Sequence, residues 1–182
     1  MVYNRFMYSQ NFPFYKQPDT KDCGPTCLRI IARYYRKNIS LNELRAFSET
    51  TREGSSLLGL SEAAEKIGFK SLGVQVDFHA LTEKVPLPCI VHWNKKHFVV
   101  VYKIDKSGKV HISDPSYGLI TYSKEEFIKF WIGNNATERT EEGIALLLET
   151  TPAFYQNEFD EQESKTSFKF LSKYLFKYKS LV

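Results

Sequence analysis

Asp22-Cys23-Gly24-Pro25-Thr26-Cys27-Leu28-Arg29-Ile30-Ile31-Ala32-Arg33-Tyr34-Tyr35 is the stretch that decides how this chain is read. It has the form of a helix start with a cysteine at its mouth. Asp22 suits an N-terminal cap, and Pro25 suits the first turn, where its missing N–H costs nothing. Leu28, Ile31 and Tyr35 fall on one helical face, with Cys27 beside them. Cys23 then stands where unpaired backbone N–H groups and the positive end of the helix dipole converge. Such a setting stabilises a thiolate, and cysteines so placed drop from about 8.5 to roughly 3.5–7.5 in pKa. Gly24 is expected to leave room for another backbone to approach. Taken alone, a cysteine near a helix start is more often a small buried residue than a nucleophile. A nucleophile needs a base, an orienting group and an oxyanion donor elsewhere in the chain.

Before the helix, residues 1–16 are aromatic and irregular and are expected to form an extended arm over the domain. Gln17 precedes the turn-like Pro18-Asp19-Thr20-Lys21. Beyond the helix, Ser40-Leu41-Asn42-Glu43 is a capping box that predicts a helix over about 41–47. Glu53-Gly54-Ser55-Ser56 reads as a loop, followed by a helix from Leu60 to Ile67 that Gly68 ends. The pattern then changes. Lys70 to Val76 alternates as a strand does, and Phe78 to Lys84 is a short helix or turn. Pro88 to Trp93, Phe98 to Ile104, Val110 to Ser113 and Leu119 to Tyr122 are strand-like, rich in β-branched and aromatic residues. Asp105-Lys106-Ser107-Gly108 joins the second and third of these as a hairpin. Ser123-Lys124-Glu125-Glu126 caps a helix reaching Trp131, and Gly143 to Thr150 closes the sheet. Helices first and then a mainly antiparallel sheet make an α+β layout.

Of the four histidines, His97 stands out. It follows the polar turn Asn94-Lys95-Lys96 and opens the apolar strand Phe98-Val99-Val100-Val101. Asp114 ends the neighbouring strand, which Pro115 stops. The hairpin turn lies between them in sequence, so both side chains are carried to the hairpin's open end. A Cys–His–Asp relay needs such a pair: a base for the thiol proton and a carboxylate to fix the base's tautomer. Gln17 could aim its amide at a developing oxyanion. Singly, His97 reads as a strand-end histidine and Asp114-Pro115 as a simple turn; the four signals in this order carry the catalytic reading. Cys89, His92 and His97 could suggest metal binding, but Cys89 and His92 are three apart on a strand and point to opposite faces. His79 and His111 carry no signal. No metal or cofactor is expected, and no Gly-rich loop ending in Gly-Lys-Ser/Thr offers an ATP site.

Here the sequence resembles the double-glycine leader peptidases that form the N-terminal domain of peptidase-containing ABC transporters, the bacteriocin-processing exporters. The matching residues are Gln17, Asp22-Cys23-Gly24-Pro25-Thr26-Cys27-Leu28, and Gly54-Ser55-Ser56-Leu57 before Gly59-Leu60. They continue with Pro86-Leu87-Pro88-Cys89-Ile90-Val91-His92-Trp93, His97-Phe98-Val99-Val100, Asp114-Pro115-Ser116-Tyr117-Gly118 and Phe130-Trp131-Ile132-Gly133. The resemblance covers residues 10–150. It implies a papain-like fold with Cys23 as nucleophile, His97 as base, Asp114 as its orienter and Gln17 as oxyanion donor. It also implies cleavage after a Gly-Gly or Gly-Ala pair that ends the leader of a precursor peptide. Lys95-Lys96 before His97 departs from the family pattern and bears on which leaders are accepted. A leader-docking module that has lost catalysis and a papain-like transferase, such as a transglutaminase, are the alternative functions.

The bulk composition agrees with one domain and a tail. A chain of 182 residues, 42% of them hydrophobic, buries a real core. A net charge of +4 is too small to argue for nucleic acid. Three cysteines give no disulfide framework, which points to a reducing compartment. Met1 to Phe6 lacks the apolar run of a signal peptide, and no stretch reaches the roughly 20 apolar residues of a membrane span. The expected organisation is a peptidase at 1–150, an acidic linker at 151–167 and a basic amphipathic helix at 168–182 that begins a membrane domain. In that last segment Lys169, Lys173 and Lys177 gather opposite Phe168, Leu171, Leu175 and Tyr178. The resemblance places the domain on the cytoplasmic side of the bacterial plasma membrane. Its expected partners are the transporter's membrane and ATP-binding parts, with a monomeric isolated domain and a homodimeric whole.

Overall fold

The computed structural model describes residues 12–51, 53–133, 142–157 and 159. Five helices follow the expected order: α1 (Cys23–Tyr34), α2 (Leu41–Phe47), α3 (Leu57–Lys66), α4 (Phe78–Glu83) and α5 (Lys124–Ile132). Six strands, β1 (Phe69–Asp77), β2 (Cys89–Trp93), β3 (His97–Ile104), β4 (Val110–Asp114), β5 (Gly118–Tyr122) and β6 (Glu142–Thr150), form one sheet in the order β1-β6-β2-β3-β4-β5. Each pairing is antiparallel. A sixth helix, α6 (Pro152–Gln156), follows β6.

Strand alternation divides the core into two layers. Phe69, Ile90, Phe98, Val100, Leu146 and Leu148 face α1 and α3 and pack on Leu28, Ile31, Leu60 and Ala64. Val91, Trp93, Val99, Val101, Ile112 and Ala145 face the other way, onto Leu81 of α4 and Phe127 and Trp131 of α5. Cys89 belongs to this second layer, while the His92 ring stacks on Phe98 at a centroid distance of 4.8 Å. The two therefore lie on opposite faces, as their spacing requires.

The capping boxes are formed as read. Ser40 accepts from the Glu43 N–H while the Glu43 carboxylate accepts from the Ser40 N–H, and Ser123 and Glu126 repeat the arrangement. Three details differ from the sequence reading. First, α3 begins three residues earlier, at Leu57, because Ser56 accepts the Gly59 N–H as its cap. Second, Gly24 makes room for a side chain and not for a backbone: a Cβ there would lie 2.7 Å from Cδ2 of Leu60. Third, the packed domain runs past Thr150. Phe154 of α6 is fully buried in the α1 layer against Phe69 and Tyr35. Thr151 donates from its N–H and its hydroxyl to the Gly68 carbonyl. Gly68 adopts φ +96, and a Cβ there would sit 2.5 Å from the Phe154 Cα, so glycine is demanded twice. The linker expected from residue 151 thus starts with a docked helix; residues 160–182, with the basic helix read at 168–182, lie outside the described residues.

The N-terminal arm is described from Phe12 onward. Phe12 stacks on Tyr102 at 4.2 Å, and the Ser113 hydroxyl donates to the Pro13 carbonyl. This fixes an extended segment along β3 and β4 and delivers Gln17 to the sheet's end.

Candidate active site

Cys23 is the first residue of α1 and is buried, with 5% of its surface exposed. The chain enters it through a 3-10 turn, Thr20–Asp22, that runs into the helix without a break. Asp22 does not cap α1 through its side chain, contrary to the sequence reading. Its carboxylate turns away, accepting from the Asp19 N–H at 3.1 Å and from the Arg45 guanidinium at 2.7 and 2.8 Å. A charged partner outbids the cap because Asp22 is fully buried, and a buried carboxylate needs a counter-charge.

His97 is delivered by a tight turn. Asn94 and Lys95 adopt φ +50 and +57, and the Lys96 N–H donates to the Trp93 carbonyl. That geometry reverses the chain over Asn94, Lys95 and Lys96, so that β3 starts at His97 opposite Trp93. Asp114 is the last residue of β4, and Ser116 and Tyr117 donate their N–H groups to its carboxylate and carbonyl. Nε2 of His97 lies 2.9 Å from Oδ1 of Asp114. Cys23 is the second side chain that acts on the His97 ring.

Burial alone would push the His97 pKa down. The hydrogen bonds to Asp114 and Cys23, and the negative charges behind them, outweigh it and raise the pKa to about 9. At neutral pH the ring is therefore an imidazolium held between a carboxylate and a sulfur. The other two cysteines are unsuited to attack. Burial, then the charges of Cys23 and Asp114, push the Cys27 thiol well up, and it donates to the Phe98 carbonyl at 3.3 Å. Burial raises Cys89 to about 12. A protonated, enclosed thiol is a poor nucleophile.

The structure thus brings Cys23, His97 and Asp114 into one chain of contacts. Gln17 joins less directly. Its N–H donates to the carbonyl of Pro115, next to Asp114, and its Nε2 donates to the Asp19 carbonyl at 3.0 Å. Its amide is turned onto the entry turn, using one of two hydrogens, and its Oε1 is buried without a hydrogen-bond partner. Arg45, which grips Asp22 from α2, carries no signal in the sequence. Arg45 looks like an ordinary exposed helix charge there; only the buried acid beside the cysteine hints that a cation must reach it.

Comparison with known proteins bears on this geometry. A family model described as "Peptidase C39 family" matches residues 11–141. The lactococcin-G-processing and transport ATP-binding protein LagD of Lactococcus lactis subsp. lactis is 37% identical over 122 residues, covering 64% of this chain and 17% of that protein. The pediocin PA-1 transport/processing ATP-binding protein PedD of Pediococcus acidilactici is 37% identical over 134 residues, covering 69% and 18%. The chain spans less than a fifth of the length of these relatives. Among solved structures, a double glycine motif protease from an AMS/PCAT transporter, in complex with the leader peptide, superposes with a TM-score of 0.68 at 29% identity, covering 76% of this chain and 91% of that one. The peptidase domain of Streptococcus ComA, a bi-functional ABC transporter involved in a quorum sensing pathway, gives 0.67 at 32%, covering 78% and 100%.

Proposed function

The chain belongs to the peptidase C39 family, and from that premise we propose that it is the cysteine endopeptidase of an exporter. In this reading it removes the leader of a precursor peptide by cutting after a Gly-Gly or Gly-Ala pair. The observation that carries the proposal is the His97 ring held between Cys23 and Asp114. Relatives named as processing and transport ATP-binding proteins, and a protease structure holding a leader peptide, support it.

The chemistry follows from the pair. The Cys23 thiolate attacks the carbonyl carbon of the scissile peptide bond. The oxyanion that forms takes a hydrogen bond from the second amide hydrogen of Gln17, the one not given to the Asp19 carbonyl. His97, already an imidazolium, gives its proton to the leaving nitrogen as the C–N bond breaks. The leader is left as a thioester on Cys23. The neutral His97 then takes a proton from water, which attacks the thioester and releases the leader's carboxylate. Asp114 holds the ring in the orientation both transfers need. Glycine before the cut lets the substrate backbone come close to the sulfur.

The longer protein would supply membrane and ATP-binding parts, placing this domain on the cytoplasmic side, where precursors are made. No helix among the described residues is long and apolar enough to cross a membrane. The test is incubation of the purified chain, and of Cys23→Ala, with a precursor whose leader ends in Gly-Gly. Cleavage at that pair by the wild type alone is expected. Binding without cleavage by the wild type would instead favour a docking module, and transfer to an added amine in preference to water a transferase.

A further inference from the structure

We propose that Arg45 of α2 is a positioning residue for the Cys23 nucleophile, a proposal that rests on the peptidase reading above. Gln17 and Cys23 are the two ends of one short segment. Between them the Gln17 amide holds the Asp19 carbonyl, and the Asp19 N–H is held by Asp22. Asp22 is in turn gripped by Arg45 in a two-pronged contact, Nε to Oδ1 at 2.8 Å and an Nη to Oδ2 at 2.7 Å. Within that segment this is the one buried ion pair among the described residues; Lys21 and Asp19 pair at 3.8 Å at the surface. Arg45 is itself aimed by a 2.9 Å bond to Asn42 one helical turn earlier.

Two consequences follow. The fork fixes the orientation of the Asp22 carboxylate as well as its position, and with it the plane of the turn that starts α1. It also gives the fully buried carboxylate of Asp22, the residue before Cys23, its counter-charge. The charged and titratable groups facing this start of α1 include Asp19, Lys21 and Asp22 on the entry segment, Cys27 on α1, Arg45 from α2, His97 from β3 and Asp114 behind it on β4. Without Arg45 the buried Asp22 carboxylate loses its partner, and the turn that presents Cys23 to His97 is no longer held in place.

Arg45→Met keeps the stem and removes the fork. Arg45→Lys keeps the charge but cannot grip both oxygens. The expected result for both is a fall in kcat of about 10–100-fold, the scale on which small misplacements act, with KM for a Gly-Gly leader peptide unchanged. Arg45→Lys should recover the thermal stability lost in Arg45→Met without recovering kcat. Alkylation of Cys23 by iodoacetamide at neutral pH should slow in Arg45→Met, a readout that needs no substrate and stands even if the peptidase reading fails. Should Arg45→Met fail to fold, the paired variant Asp22→Asn with Arg45→Met removes the buried charge and is expected to fold with the same loss of kcat. Wild-type kcat in any folded variant, or a rise in KM alone, would overturn the proposal. A wild-type chain that cuts no leader peptide would count against the function instead.

Discussion

Nε2 of His97 lies 2.9 Å from Oδ1 of Asp114, and that same oxygen accepts the Ser116 N–H at 2.7 Å. The carboxylate is therefore held by the turn that follows β4 while it holds the ring that opens β3. Asp114→Asn keeps the size and removes the charge. Its turnover should fall by ~10²–10⁴, and the His97 titration followed by NMR should move down from about 9. An unchanged His97 titration would separate the two residues. His97→Ala should be inactive.

The same pair sets a pH profile. His97 rises from an ordinary 6.5 to about 9 in the folded chain. A group raised on folding adds stability that is complete below about 6.5 and is lost as pH climbs through about 9. Thermal stability should therefore decline across that window, and the decline should flatten in His97→Ala. Peptidase activity should have its alkaline limb near 9, where the imidazolium is lost. A limb unchanged in Asp114→Asn would contradict the assignment.

Gln17 makes a sharper claim. If one of its amide hydrogens serves the oxyanion, Gln17→Ala lowers kcat by ~10²–10³ with little change in KM. A change confined to KM would make it a substrate-binding residue.

Cys27 is one helical turn below Cys23, and its thiol anchors α1 to the carbonyl after His97. Cys27→Ala loses one hydrogen bond and some packing, a stability cost on the order of 1 kcal/mol. It should retain cleavage, measured on the same leader peptide as the wild type; abolished activity in a folded Cys27→Ala would assign it a part in the chemistry.

The domain's end can also be tested. Residues 1–150 looked sufficient from the sequence, yet Phe154 is buried against Phe69. Ending the chain at Thr150 should destabilise it by roughly the 3–5 kcal/mol of a Phe-to-Ala core truncation. A chain ending at Phe159 should melt close to the 182-residue chain. Equal melting of all three would show α6 to be dispensable.

What the sequence made legible was local. Ser40 with Glu43 and Ser123 with Glu126 announce their helices because a capping box is complete within four residues. His97 and Asp114 were legible because each sits where an apolar run meets a turn. The sheet order was not, since β6 inserts between β1 and β2 and no periodicity encodes that Phe69 pairs with Thr150. Asp22 differs for the same reason: neighbours in sequence suggest a cap, while Arg45 reaches it from 23 residues on. Phe154 lay hidden because Ala153-Phe154-Tyr155 is too short a run to show a helical period.

The central claim is that Cys23 is the nucleophile, and labelling tests it most directly. The chain is incubated with a leader peptide whose terminal Gly-Gly carries an acyloxymethyl ketone, then mapped by mass spectrometry after digestion. The account predicts one peptide bound per chain, attached to Cys23 and absent in Cys23→Ala. Attachment to Cys27 or Cys89, or equal labelling of the Cys23→Ala protein, would contradict it.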